Sequence, residues 1–241
     1  MSIFTTSSHE FWGTVSGNSI EEITRQQEIL WQWGVTAIEV RADLVPPDTY
    51  QVLLDKDEWV GRTCIAHFGI GVDSLVAQDV ILQALRTDIA GCICHSRNES
   101  IEEISRAVTD AGKFFATAYH SQQPLTPRDA LQEFEYQETL KPLFRKIAVR
   151  AYEFEDALAI IEATRLAFKN GGSPVVSAVF GTHRWARTAL PSAGSAISFI
   201  VAHQVFNEEG GDDQQFCVDE VDFLNDAHIL LAEPLFSQNT L

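Results

Sequence analysis

The chain has 241 residues, of which 45% are hydrophobic and 21% are charged, a composition typical of a globular protein with a sizeable core. Its formal net charge of -17 argues against nucleic acids and anionic membranes as partners, because a polyanion would be repelled. No apolar run approaches the roughly 18 residues of a membrane span, and the first residues lack the basic region and apolar block of a signal peptide. We therefore expect a cytosolic protein.

Strand-like segments recur along the chain, and helix-like segments separate most of them. The predicted strands cover residues 11–17, 36–42, 62–68, 89–95, 113–119, 144–150, 174–180 and 196–203. A strand followed by a helix, about eight times in roughly 250 residues, is the pattern of a (β/α)8 barrel. We predict an α/β fold, a single-domain TIM barrel over residues 1–241. A doubly wound sheet is the alternative, but no Gly-x-Gly-x-x-Gly sequence follows the first strand.

Capping residues mark the predicted helix boundaries. Ser19 and Glu22 form the pattern of a capping box, and Gly34 is placed to end the first helix. The same pattern recurs at Ser100 and Glu103, which predicts the start of a later helix.

The cysteines suggest a reduced protein. Three of the four lie inside predicted strands, which suits buried thiols of a cytosolic protein better than a disulfide framework. A zinc site is the alternative, because five possible ligands lie on two successive strands: Cys64, His67, Cys92, Cys94 and His95. Structural zinc sites favour paired cysteines on turns, however. We therefore predict apolar packing and no metal.

Polar side chains at the ends of the predicted strands are the candidates for a functional site. In a barrel, inward-facing residues alternate along each strand, and the carboxyl ends of the strands form the catalytic mouth. The candidates are Glu39, Arg41 and Asp43 on strand 2, His120 on strand 5, Lys146 on strand 6, Arg187 after strand 7 and Gln215 after strand 8. The three residues on strand 2 share a parity, so they project to the same side.

Lys146 is the candidate with the most specific chemistry. A lysine among apolar neighbours loses solvation as an ammonium, and this lowers its pKa. A neutral amine can attack a ketone to form an imine, which acidifies the adjacent carbon, and His120 would then transfer the proton. Structural alternatives stay open: a lysine that reaches the rim or pairs with a carboxylate, a hydrogen-bonded histidine, and a buried Glu39–Arg41 ion pair.

Five motifs, in order along most of the chain, resemble those of type I 3-dehydroquinate dehydratases. The segment AIEVRADLV resembles the family's Glu-x-Arg-x-Asp strand, AYHSQQPLTPRDAL its histidine segment, and FRKIAVRAYEFEDAL its Lys-Ile-Ala strand. The segment FGTHRWARTALPSAGSAISF resembles its Ser-Arg to Gly-Ser stretch. The segment QQFCVDEVDFL resembles the part that follows its lid loop.

The resemblance implies a function. The protein would be a cytosolic hydro-lyase that dehydrates 3-dehydroquinate to 3-dehydroshikimate in the shikimate pathway. It would act on a small anionic keto acid as a homodimer, with no metal or organic cofactor and with neither nucleic acid nor membrane as partner. A lid loop around residues 207–215 would close over the substrate.

The resemblance also implies a role for each candidate residue. Lys146 would form the imine, and His120 would move the protons. The implied substrate-binding residues are Glu39 and Arg41 for the ring hydroxyls and Arg187 with Gln215 for the carboxylate.

The sequence departs from the family pattern in strand 3, strand 4 and the lid, and by one extra residue between His120 and Thr126. The family's strand 3 ends in an arginine followed by Glu-Gly-Gly, whereas this chain reads AHFGIGVD, with His67 and Gly71 near those places and Asp73 as a candidate for the glutamate. The acidic residues of strand 4 are replaced in GCICH, and the lid reads GDDQQ. Two alternatives therefore stay open: an imine-forming, aldolase-like lyase for another keto acid, and a non-catalytic ligand-binding relative.

Overall fold

The computed structural model describes residues 9–54, 63–202 and 215–226. Its strands all run parallel and form one sheet in the order β7-β6-β5-β4-β3-β2-β1-β8-β9. The strands are β1 (Glu10–Val15), β2 (Ala37–Arg41), β3 (Thr63–His67), β4 (Gly91–His95), β5 (Phe114–Ser121), β6 (Arg145–Ala151), β7 (Val175–Gly181), β8 (Ile197–Val201) and β9 (Phe216–Cys217). The first eight are those that the sequence predicts, so the α/β barrel is confirmed.

Helices alternate with these strands and cover the outside of the sheet. They are α1 (Ile20–Trp33), α2 (Pro47–Leu54), α3 (Ser74–Ala84), α4 (Ile101–Asp110), α5 (Pro127–Thr139), α6 (Phe154–Asn170) and α7 (Val218–Asp226). Short 3-10 helices cover Ala42–Leu44, Gly71–Asp73 and Arg184–Thr188. Of the helices in the described ranges, none has the length and apolar character needed to cross a membrane.

The sheet closes on itself between β7 and β8. At the amino end of β8, the Ala196 amide donates to the Val175 carbonyl at 2.8 Å, and the Ser177 amide donates to the Ser195 hydroxyl at 3.0 Å. At the carboxyl end, β9 pairs with β8 instead. Since the other edge of β8 pairs with β1, β9 occupies the edge that faces β7. The sequence did not predict this two-residue strand, which brings Gln215 to the barrel mouth.

Alternate residues of the strands fill the barrel interior. This cluster contains Trp12, Ala37, Cys64, Ala66, Ile93, Ala116, Ala118, Phe144, Val176, Ile197 and Phe199. The Trp12 ring is fully buried and meets Phe144 edge-on at 5.5 Å between centroids. These side chains fill the barrel interior, as expected of a barrel of eight strands, and form the floor of its mouth. Any site must therefore lie on the side of this floor where the strands end.

The cysteines pack as apolar residues. Cys64 belongs to the barrel interior, whereas Cys92 and Cys94 belong to the layer between strands and helices. Burial raises the pKa of the Cys94 thiol to about 12 and the pKa of Cys64 well above its usual range. Within the described ranges, no three His, Cys, Asp or Glu side chains are grouped to hold a metal ion. Cys64 thus lies on one face of the sheet and Cys92 and Cys94 on the other, each within an apolar cluster.

The Ser19 cap of α1 is confirmed, although the Glu22 carboxylate accepts from the Asn18 amide rather than from Ser19, and the predicted Ser100 cap is wrong. The Ser19 hydroxyl accepts from the Glu22 amide at 3.2 Å, and Gly34 ends α1 with a left-handed φ of 106°. Ser100 makes no side-chain cap to α4. Its amide instead donates to the Asn98 side chain at 2.8 Å, because a nearby asparagine forms the turn that leads into the helix.

Two glycines in the barrel test how tightly the strands are packed. A Cβ at Gly91 would lie 2.3 Å from the Phe114 carbonyl oxygen, whereas a Cβ at Gly13 would meet the flexible end of Leu30 at 2.6 Å. The neighbouring backbone cannot move without breaking the β4–β5 ladder. We expect Gly91→Ala to lower the free energy of unfolding by about 3 kcal/mol and Gly13→Ala by about 1 kcal/mol. Urea denaturation measures both values, and equal losses would contradict this packing.

Candidate active site

A layer of polar side chains lies directly above the apolar floor. Each member follows a floor residue of its own strand by two positions: Thr14, Glu39, His95, His120 and Lys146. Because side chains of a strand alternate with a period of two, these residues face the barrel interior at its mouth. The alternation of side chains along each strand therefore brings these five residues into one layer.

Lys146 and Glu39 form an ion pair at the centre of this layer. The Lys146 Nζ donates to Glu39 Oε2 at 3.3 Å, and the two residues are only 4% and 1% exposed. Thr14 donates to the other carboxylate oxygen at 3.3 Å. The Nζ also lies 3.6 Å from the centroid of the Phe199 ring. The amine is therefore held between a carboxylate and an aromatic face, away from bulk water.

Arg41 lies further along β2 and is held by its neighbour in sequence. Its guanidinium donates to both carboxylate oxygens of Asp43, at 2.9 Å and 2.7 Å. The guanidinium carbon also lies 4.6 Å from the centroid of the Phe68 ring. Arg41 thus stands at the site in a fixed orientation.

His120 lies at the end of β5, next to the same aromatic ring. Its imidazole and the Phe68 ring are 4.1 Å apart between centroids, and the Lys146 Nζ is 5.7 Å from the Phe68 centroid. Phe68 is therefore the common neighbour of Arg41, His120 and Lys146.

Sequence reasoning missed Phe68. It compared His67 with the strand-3 arginine of the resembling family, but Phe68 is the residue that follows Ala66 with inward parity. His67 has the opposite parity, and burial lowers its pKa. Asp73 lies on an exposed 3-10 turn. Phe68 has the same inward-facing position on its strand as Glu39 has on β2, but only polar residues were considered as candidates.

His95 is a second buried imidazole in the layer. Its Nδ1 accepts from the Arg97 amide at 3.1 Å, and its Nε2 faces the His120 amide at 3.4 Å. An imidazolium would carry a proton on both nitrogens and would find an amide donor opposite each. Burial lowers the pKa of His95, against the attraction of Glu133. A neutral imidazole accepts at one nitrogen only, so His95 can accept from either the Arg97 amide or the His120 amide.

Arg187 and Gln215 lie on the side of the mouth formed by β7, β8 and β9. The Arg187 Nε donates to the Val179 carbonyl at 2.8 Å, and the residue is 9% exposed. Gln215 is 6% exposed, and its Oε1 has no hydrogen-bond partner among the described residues. An ion pair between Arg184 and Glu220, at 2.6 Å, joins this side of the mouth to α7. A buried acceptor of this kind suits a ligand that donates a hydrogen bond.

The structure thus places the predicted residues in two groups. Arg41, His120 and Lys146 surround Phe68, and Glu39 pairs with Lys146. Arg187 instead contacts β7, and Gln215 directly precedes β9. Of the predicted lid loop, residues 207–215, only Gln215 lies within the described residues.

Comparisons with known proteins bear on the fold. No family model and no curated protein matches the sequence. Among solved structures, the chain is similar to 3-dehydroquinate dehydratase from Geobacillus kaustophilus, with a TM-score of 0.73 and 16% identity over 93% of this chain and 90% of that one. It is also similar to type I 3-dehydroquinate dehydratase from Clostridium difficile, solved with covalently modified comenic acid (TM-score 0.77, 14% identity, 92% and 93% covered).

A third similar structure is QR15, an aldolase, with a TM-score of 0.56 and 13% identity over 90% of this chain and 96% of that one. At these identities the likeness shows the fold. The chain is an α/β barrel whose mouth holds a buried lysine–carboxylate pair.

The buried histidines predict how stability depends on pH. Burial lowers the pKa of His95 and His67 below 6.5. Near and below pH 6.5, these histidines therefore bind protons more readily in the unfolded chain than in the folded chain. The free energy of unfolding should therefore fall as the pH drops below about 6.5, and it should be recovered above it. His95→Gln removes one such group and should flatten this dependence. Urea denaturation at several pH values tests it, and an unchanged slope would show that His95 does not contribute.

Proposed function

We propose that the protein is an imine-forming hydro-lyase that dehydrates 3-dehydroquinate to 3-dehydroshikimate. The observation that carries the proposal is the water-excluded Lys146–Glu39 pair at the barrel mouth, with His120 and Lys146 both beside the Phe68 ring. The five ordered motifs and the shared fold with two 3-dehydroquinate dehydratases support this choice of reaction. The proposal includes a cytosolic homodimer that needs no metal or organic cofactor.

The first step is imine formation at Lys146. The ammonium must lose a proton before it can attack, and the Glu39 carboxylate, 3.3 Å away, is positioned to accept it. The neutral amine then adds to the ketone carbon at C3 of the substrate, and loss of water from the adduct gives the protonated imine. This cation withdraws electrons from C2 and makes its proton acidic.

His120 carries out the elimination. Its imidazole takes the proton from C2, and the resulting enamine expels the hydroxyl from C1 as the imidazolium donates a proton to it. The substrate thus loses one hydrogen and one hydroxyl, which leave together as water. A further water hydrolyses the imine, which releases the enone and restores the Lys146 amine.

The substrate carboxylate is assigned to Arg187 and Gln215. A guanidinium matches a carboxylate in both charge and geometry. The Gln215 amide nitrogen can donate to the same carboxylate, which leaves its oxygen to accept from a ligand hydroxyl. Glu39 and Arg41 lie on β2, which is two strands from β8, and they would orient the ring hydroxyls. In a chain of net charge -17, these cations give the mouth its local attraction for an anion.

A second candidate function is an imine-forming lyase for a different keto acid. Phe68 favours it, because its ring lies beside Arg41 and His120 and offers no hydrogen bond to a ligand hydroxyl. The similarity of the fold to an aldolase agrees with it.

Borohydride trapping tests the proposed function. When the protein is incubated with 3-dehydroquinate and sodium borohydride, we expect the peptide that contains Lys146 to gain the mass of the reduced ligand. Without reductant, the ultraviolet absorbance of the enone should rise. Lys146→Met should abolish both signals. Lys113→Met is the matched control, since the Lys113 ammonium binds the Thr87 and Ile89 carbonyls below β4 and β5, and it should retain both.

The borohydride adduct and the enone absorbance together distinguish the candidate functions. An adduct without enone would favour the lyase for another keto acid. The absence of both would contradict imine chemistry and leave a non-catalytic ligand-binding protein.

Arg187→Ala tests the carboxylate assignment. Loss of charge-assisted hydrogen bonds should weaken substrate binding by about 10- to 100-fold, with a smaller effect on turnover at saturation. Arg106→Ala removes the same charge from the exposed face of α4 and should leave binding unchanged. Steady-state kinetics measures both variants, and equal effects would rule out a specific role for Arg187. Circular dichroism checks that the barrel is intact.

A further inference from the structure

Arg150 lies on the same strand as the reacting amine and faces the same way. Because side chains alternate along β6, Lys146, Ala148 and Arg150 follow one another on its inner face towards the barrel opening. Ala148, between the two cations, has only a methyl side chain and is buried, whereas Arg150 is partly exposed. A ligand attached to Lys146 therefore passes a small residue first and then meets the Arg150 side chain.

The neighbouring strands hold the Arg150 guanidinium in a fixed position. In the register of the sheet, Phe180 on β7 lies directly opposite Arg150, and the guanidinium carbon is 4.8 Å from the centroid of its ring. On the other side, the Arg150 Nε donates at 2.9 Å to the Oε1 of Gln122, which follows β5. The two Nη groups donate to no atom of the part of the chain that the structure describes. Two neighbours thus orient the guanidinium, and it presents both Nη groups to a ligand.

The charge of Arg150 distinguishes it from other arginines of the mouth. Arg41 forms an ion pair with Asp43, and Arg184 forms one with Glu220. Arg150 forms no ion pair with a carboxylate in the described ranges. In a chain of net charge -17, such a cation at the mouth attracts an anionic ligand. A guanidinium binds a carboxylate through two parallel hydrogen bonds.

The proposed site of proton transfer lies one inward step closer to the floor than Arg150. The register pairs His120 with Ala148, so His120 stands at the level between Lys146 and Arg150. In the proposed reaction, Lys146 holds C3 of the ligand and His120 takes the proton from C2. The next ring carbon, C1, carries the carboxylate. The ligand therefore directs its carboxylate towards the level of Arg150.

Arg187 stands at the same end of β7 as Arg150. Its Nε donates to the Val179 carbonyl at 2.8 Å, and the Arg150 guanidinium packs on the ring of the next residue, Phe180. The two cations thus contact consecutive residues of one strand. A carboxylate has two oxygens, and each accepts more than one hydrogen bond, so one carboxylate can bind both guanidinium groups.

We infer that Arg150 is a further substrate-binding residue, which binds the carboxylate of the keto acid together with Arg187. The inference rests on the proposed function for the placement of the ligand on Lys146. It defines the ligand class as keto acids in which the carbon that bears the carboxylate is next to the carbon that His120 deprotonates. 3-Dehydroquinate belongs to this class, because its carboxylate is on C1 and its ketone is at C3.

Two ligands that differ in charge test the inference. 3-Dehydroquinate and its methyl ester have the same ring and hydroxyls, but only the acid has a carboxylate. In the Lys146→Met chain neither ligand can form an imine there, so calorimetry measures the non-covalent binding of each. We expect Arg150→Gln in this background to weaken binding of the acid about tenfold, as for the loss of a charge-assisted hydrogen bond. Binding of the ester should change by less than about twofold.

Two further variants in the same background serve as controls. Arg150→Lys keeps the charge but loses the paired donors, so it should weaken binding of the acid about threefold. Arg106→Gln removes an equal charge from the exposed face of α4 and should change the binding of neither ligand. If circular dichroism shows that Arg150→Gln does not fold, the comparison of Arg150→Lys with Arg106→Gln decides.

Equal weakening of the acid and the ester would contradict the inference, because the effect would not depend on the carboxylate. Unchanged binding of the acid, or no binding of either ligand at millimolar concentration, would also contradict it. The proposed function is decided separately, by trapping and enone formation in the chain that keeps Lys146. Binding of the acid that depends on Arg150, without trapping, would uphold the carboxylate site and reject the function. Turnover, with binding of the acid that does not depend on Arg150, would do the opposite.

Discussion

The structure depends on one interaction that crosses the barrel, the ion pair between Lys146 and Glu39. The two residues lie on β6 and β2, four strands apart in a barrel of eight, so their contact joins opposite walls. Burying two charges is costly unless they are paired and hydrogen-bonded, and Thr14 supplies a further hydrogen bond to the carboxylate. The packed floor around Trp12 and Phe144 holds both walls at the distance that the pair requires.

Two aromatic rings determine the environment of the Lys146–Glu39 pair. The Phe199 ring lies against the amine, and the Phe68 ring lies beside both the amine and His120, so bulk water has little access to the pair. Excluding water strengthens each electrostatic contact inside the site. The two rings thus place apolar faces against a layer of polar side chains that contains the buried Lys146 amine.

Much of this arrangement is readable from the sequence, because strand periodicity is local. Alternation within each strand located β1 to β8, and the positions of Glu39, His120 and Lys146 on the strands made them candidates for the barrel mouth. Three features escaped this reasoning for physical reasons. The choice of Glu39 as partner of Lys146 spans 107 positions and arises only when the barrel closes. The strand β9 is too short for a periodic signal. Phe68 is apolar, so a search for reactive groups passed over it.

A crystal structure of the protein after exposure to 3-dehydroquinate and borohydride tests the central claim most directly. We expect continuous density from the Lys146 Nζ into the ligand, with the ligand edge between His120 and Phe68 and its carboxylate toward Arg187. An unmodified Lys146 still bound to Glu39, with the ligand absent or attached elsewhere, would contradict the account.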